Sequence, residues 1–164
     1  MGSEAGSARG EDGVGAELLE NFDAKHINYR IETVPYPTGT VQVEIDQAGI
    51  PQYEIKENVA WDNIPYTARL EALAGRTRAV CFGSLAQRNV VSRSTINRFL
   101  DAMPHDDGSL IVFDVNLRQG FYNKDILCNS MKRCNILKIN DEELVTVSRM
   151  FGYPGIDLQD KCWI

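Results

Sequence analysis

Two polar clusters, each placed after a short apolar run, hold the residues of this chain best suited to chemistry. The first is Asp114-Val115-Asn116-Leu117-Arg118, after Leu110-Ile111-Val112-Phe113; the second is Lys138 with Asn140-Asp141-Glu142-Glu143, after Asn135-Ile136-Leu137. Arg118 presents a planar fork of donors that can hold phosphoryl oxygens two at a time, which a lysine does less well. Asn140 and Glu143 stand three apart at an expected helix start, and so share a face. An amide and a carboxylate there can hold Mg²⁺, directly or through its waters, because this cation keeps several waters and takes few protein ligands. Each residue also has a purely structural use. Asn140 ahead of Asp141-Glu142-Glu143 makes a strong helix N-cap, and Asp114 can cap the turn after its strand. Lys138 can pair with Glu143 or reach solvent from a strand edge. Asp141 and Glu142 read as solvated charges of the helix start.

The elements that must position these clusters follow from periodicity. Strands at 110–114 and 135–139 flank a segment, 125–132, that can form a short helix. The order strand, helix, strand predicts a right-handed parallel crossover, which brings both strand ends to one edge of a sheet. Ligands of open α/β sheets lie in the crevice outside those carboxyl ends, so Asn116, Arg118, Asn140 and Glu143 are expected to converge on one small molecule. A third strand, 78–83, ends in Gly83-Ser84, where backbone and hydroxyl can approach a ligand. An amphipathic helix at 90–103 points Val91, Ile96, Phe99 and Leu100 inward, and the alternation over 78–150 predicts a doubly wound α/β fold. Upstream, a helix at 16–25 and a strand at 28–33 precede two alternating strands, 40–45 and 52–56, joined by a turn as a hairpin. Residues 1–9 form a small-residue run of little burial value, expected to be disordered. A further helix is expected to begin near Asp157.

Composition bounds the class. A chain of 164 residues that is 43% hydrophobic can build one core. A net charge of −6 and the lack of any Lys/Arg stripe argue against a nucleic-acid or anionic-membrane surface. No apolar run is long enough to span a membrane and no signal peptide opens the chain, so a cytoplasmic protein is expected. Cys81, Cys128, Cys134 and Cys162 lack metal-site spacing and read as buried reduced thiols. His26 and His105 read as surface residues, and Arg88 as a loop arginine able to reach a sugar or carboxylate.

Five segments in order carry a family resemblance: Gly10-Glu11-Asp12-Gly13-Val14-Gly15, Pro37-Thr38-Gly39-Thr40, Val80-Cys81-Phe82-Gly83-Ser84-Leu85, Asp114-Val115-Asn116-Leu117-Arg118, and Lys138-Ile139-Asn140-Asp141-Glu142-Glu143. Together they resemble the PfkB (ribokinase-like) carbohydrate kinases, with a fructokinase flavour. The resemblance implies a ribokinase-like doubly wound sheet in three αβα layers, here partial, over residues 10–164, with a small β-sheet lid at about 38–57. It implies transfer of a phosphoryl group from ATP to a sugar hydroxymethyl, with Mg²⁺. Asn116, Arg118, Lys138, Gly83 and Ser84 would contact phosphate or substrate, Gly39 and Gln42 the sugar, and Asn140 and Glu143 the metal.

Two family features are missing from the sequence: the N-terminal strand with its substrate-binding Asp and Gly-Gly turn, and the later Gly-Ala-Gly-Asp motif that supplies the catalytic base. The isolated chain is therefore expected to have negligible kinase activity. Because the lid packs against a second subunit in many relatives, a homodimer is also expected. A non-catalytic module self-associating through the lid is the alternative from another class. A Rossmann-type nucleotide-binding protein is disfavoured, because no Gly-x-Gly-x-x-Gly follows a strand.

Overall fold

The computed structural model describes residues 2–45, 49, 51–106 and 108–153, so the helix expected near Asp157, Cys162 and most of the turn between the hairpin strands lie outside the described residues. The chain divides into two compact units, one of Met1–Leu70 with Asn89–Thr95 and one of Glu71–Arg88 with Ile96–Ile164. Each unit has its own cluster of buried apolar residues, around Ala8, Ala60 and Ile64 in the first and around Phe82, Phe113 and Leu127 in the second.

In the first unit, β1 (Glu4–Arg9) and β2 (Asn28–Thr33) pair in parallel, from Glu4 opposite Asn28 to Arg9 opposite Thr33, with α1 (Gly13–Ala24) between them. The disorder expected for residues 1–9 is therefore corrected over Glu4–Arg9. What orders them is backbone pairing with a strand more than twenty positions on, not bulky side chains. Small size is itself the fit at Ala8, which is buried against Ala60 and Ile64. An ion pair of 3.1 Å between Arg30 and Glu4 adds a cross-strand contact. The hairpin follows as β3 (Val41–Ile45) antiparallel to β4 (Pro51–Ile55), with Val43 opposite Tyr53.

The chain continues through α2 (Ala68–Ala74), β5 (Ala79–Gly83), α3 (Val90–Ala102), β6 (Leu110–Asp114), α4 (Lys124–Arg133), β7 (Ile136–Lys138) and α5 (Asp141–Met150). In the second unit β5, β6 and β7 form a parallel sheet in that order. The crossovers bring α3 and α4 side by side, where Asn129 donates to Asn97 at 3.0 Å and Arg133 pairs with Asp101. Ile111 and Phe113, alternating on β6, are buried with Phe82, Leu100, Leu127 and Val147. The Phe82 and Phe113 rings stack with centroids 5.2 Å apart. Some inward expectations fail. Val91, on the first turn of α3, is exposed; Cys81 is exposed because the neighbouring position on β5, Phe82, takes the core side; and Cys128 and Cys134 are only half-buried.

Candidate functional site

The register of the second sheet sets Asp114 directly across from Lys138, so the ends of β6 and β7 stand level at one edge. Lys138 Nζ lies 2.7 Å from Asp114 Oδ2. Of the two alternatives for this lysine, it reaches solvent from the strand edge, its side chain 69% exposed, and its ion-pair partner is Asp114 rather than Glu143. The hydrogen bond to Asp114 holds the Lys138 ammonium above its usual pKa, against a smaller opposing effect of desolvation, and the charges of Asp114 and Glu143 act in the same direction as the bond. A cation that stays charged and exposed at a strand end is suited to an anionic ligand.

Beyond Asp114 the chain turns sharply. Asn116 has φ of 44°, in the left-handed region that Asn tolerates better than most residues. The turn is held on three sides. Val115 N–H donates to the Lys138 carbonyl at 3.0 Å. The Ser84 hydroxyl donates to the Val115 carbonyl at 2.5 Å, with the Asn116 carbonyl at 3.3 Å. Leu117 N–H donates to Glu143 Oε1 at 2.9 Å. Arg118 emerges from this turn exposed, with Nη1 donating to the Leu117 carbonyl at 3.1 Å.

Asn140 is the N-cap of α5. Its Oδ1 accepts from Glu143 N–H at 2.9 Å, and Glu143 Oε2 accepts from Asn140 N–H at 3.1 Å, a reciprocal capping box. Both carboxylate oxygens of Glu143 are therefore bonded to backbone amides, and the residue is 8% exposed. Among the described residues no group of three His, Cys, Asp or Glu is placed to hold a metal ion. This donor set does not fit a direct metal cage.

Gly83 lets β5 run close to β6: a Cβ there would lie 3.2 Å from the Asp114 carbonyl oxygen. Ser84, expected to offer its hydroxyl to a ligand, is buried and donates its one proton inside the fold. Sequence reasoning missed Gln87, fully buried, whose Nε2 donates to the Gly83 carbonyl and to Ser130 Oγ, both at 2.9 Å. It has no sequence signal beyond a polar residue after a strand. The Arg88 guanidinium lies 4.4 Å from the centre of the Phe121 ring, a cation–π placement.

In the first unit, Gly39 lies against the Trp61 indole with no room for a side chain, and Gln42 is exposed on β3. Just before Gly39, Thr38 closes a network that sequence reasoning also missed. Asp12 accepts from Thr38 N–H and from the Thr38 hydroxyl, each at 2.7 Å, and from Gly15 N–H at 2.8 Å. Gly10 N–H donates to Thr38 Oγ1 at 2.9 Å. The Thr38 backbone bond, then its hydroxyl, hold the Asp12 carboxyl below its usual pKa. The Gly10-Glu11-Asp12-Gly13-Val14-Gly15 segment thus ties the start of the hairpin to the N-terminus of α1.

No protein-family model matches the chain, and no curated protein matches it. Solved structures do. An uncharacterized sugar kinase from Pyrococcus horikoshii superposes with a TM-score of 0.76 at 25% identity, covering 91% of this chain and 53% of that one. Fructokinase from Vibrio cholerae O395 in apo form gives 0.78 at 17% identity, over 99% of this chain and 56% of that one. A putative ribokinase II from E. coli gives 0.77 at 16% identity, over 99% and 53%. The chain spans about half the length of these structures. The fold is α/β and ribokinase-like. The structures it resembles are sugar kinases of the PfkB type, the family to which its five sequence segments are similar.

Proposed function

We propose that this chain is part of an ATP-dependent carbohydrate kinase, fructokinase-like, that transfers the γ-phosphoryl of ATP to a sugar hydroxymethyl. The observation that carries this reading is the level edge of β6 and β7, where Lys138 and Arg118 place two exposed cations beside Asn116 and Asn140. Phosphoryl transfer is catalysed chiefly by positioning and by stabilising charge, so these residues would act by holding phosphoryl oxygens. The Mg²⁺ implied by the resemblance would arrive on the nucleotide's phosphates, since Glu143 is engaged within the fold. The Pyrococcus sugar kinase has been solved in complex with ATP, and the Vibrio fructokinase in a form with fructose, ADP and calcium ion. Both lend support to an ATP and sugar pairing. No residue of this chain is assigned as the catalytic base, and negligible kinase activity is expected of it alone. We place the whole protein in the cytoplasm. Among the described residues no helix is long and apolar enough to cross a membrane.

Isothermal titration of the chain with Mg²⁺-ATP, and separately with fructose, tests this reading. Weak nucleotide binding that disappears in Arg118→Ala is expected. A folded chain that binds no nucleotide overturns it.

The hairpin supports a second reading, self-association. Val41, Val43 and Ile45 alternate on one face of β3, with Tyr53 of β4 opposite Val43, and all four are more than half exposed. A two-stranded sheet is at best marginally stable in water, so an apolar face of this kind calls for cover. Covering it with a second copy predicts a dimer in sedimentation analysis that Val43→Lys dissociates. A monomer at high concentration removes this reading.

A further inference from the structure

The geometry points to Glu143 as the positioning residue that fixes the Asn116–Arg118 turn, acting without a metal. This rests on the kinase reading for its functional meaning, but its physical content stands on this unit alone. The two oxygens of the carboxylate join two different segments: Oε1 takes the Leu117 amide at the end of β6, and Oε2 takes the Asn140 amide at the start of α5. Leu117 sits between Asn116 and Arg118, the two residues assigned to phosphate contact, and follows directly on the left-handed Asn116. A turn in that conformation needs an outside restraint to hold one geometry, and a charged acceptor is the strongest kind available to an amide. Ser84 restrains the carbonyl side of the same turn, and Glu143 restrains its N–H side. At 8% exposure the carboxylate offers a hydrated cation little access, while each of its oxygens already accepts an amide from a different segment. Coordination and clasping are distinct uses of the same carboxylate.

Glutamine separates them. In Glu143→Gln one oxygen becomes an NH₂ group, which cannot accept an N–H, so one clasp bond is lost while the shape is kept. The control is Glu142→Gln, which removes the same charge from an exposed neighbour in the first turn of α5. Amide hydrogen exchange is followed by NMR on the full chain in a chelator-containing, nucleotide-free buffer. Exchange at Leu117 or Asn140 is expected to quicken roughly tenfold or more in Glu143→Gln and to stay unchanged in Glu142→Gln. ATP binding without metal should weaken by the same factor as binding with Mg²⁺. Unchanged protection at both amides, or an ATP defect seen only with Mg²⁺, overturns the proposal in favour of a metal ligand. Should Glu143→Gln fail to fold, a through-hydrogen-bond scalar coupling between the Leu117 amide and the Glu143 carboxylate in the unaltered chain decides, and its absence overturns the proposal. If the unaltered chain binds no ATP, the kinase reading fails while the exchange result still judges the clasp.

Discussion

Ser84→Ala distinguishes a scaffold hydroxyl from a ligand hydroxyl by a measurement that needs no ligand. Ser84 is 1% exposed, and its Oγ proton points to the Val115 carbonyl at 2.5 Å, with the Asn116 carbonyl close behind at 3.3 Å. Val115 is itself fully buried, so water does not readily replace the lost donor. Removing one partner of a buried hydrogen bond costs about 1–3 kcal/mol, because the acceptor left behind bears its desolvation unrelieved. Alanine fills nearly the same space, so little cavity cost is added. With a urea slope on the order of 2 kcal/mol per molar, a loss of about 1.5 kcal/mol lowers the midpoint by roughly 0.7 M. Because the chain has two units, the transition must be read from the second one. Exchange of the Phe113 amide on β6 serves, and should quicken by about tenfold when it requires opening of that unit. A Ser84→Ala protein whose midpoint and Phe113 exchange match the parent would refute the reasoning and return Ser84 to the ligand-facing set.

Two further substitutions test the tie between α1 and the hairpin start. Gly10→Ala should destabilise the first unit by about 1–3 kcal/mol in denaturant titration, since a Cβ would come within 2.5 Å of the Tyr36 carbonyl oxygen and 2.8 Å of the Thr38 nitrogen, both backbone atoms that cannot swing aside; a change within error would show that the segment is not packed this closely. Asp12 is held below its usual carboxyl pKa of 3.8 by the Thr38 and Gly15 bonds, so its contribution is complete above that value and disappears as pH falls through the lower folded-state value. Asp12→Asn should therefore be less stable than the parent near neutral pH and converge with it in acid. Parallel pH curves for the two proteins would sink the assignment.

Much of the second unit can be read from local pattern. The strands β5, β6 and β7 announce themselves as short apolar runs, and α5 by Asn140 and the acids after it, because these signals lie within a few residues of the element they define. The parts that could not be read share a different property: each depends on a partner far along the chain. The pairing of β1 with β2 spans 24 positions at Glu4 and Asn28, the Asp12–Thr38 bonds span 26, and Ser84 reaches Val115 over 31. Nothing local encodes such a partner, and small residues such as Ala5, Gly6 and Ser7 give little sign that one exists.

The candidate site shows how the same limit affects function. Ser84, Asn140, Glu143, Arg118 and Lys138 were all selected by type and address, and all stand at or near strand ends, yet type alone does not say how much bonding capacity the fold has already used. Ser84 has a single proton, and the Val115 carbonyl takes it. Glu143 has two oxygens, and each accepts a backbone amide. Arg118 gives one N–H of a large fork to its neighbour's carbonyl, and Lys138 gives one of three ammonium donors to Asp114. Unused donor capacity is thus concentrated in the two exposed cations, while the oxygen-bearing groups hold the backbone around them. Two residues of equal rank in the sequence can stand on opposite sides of that division, and the ones that look most like metal ligands are those the fold has put to work holding the turn.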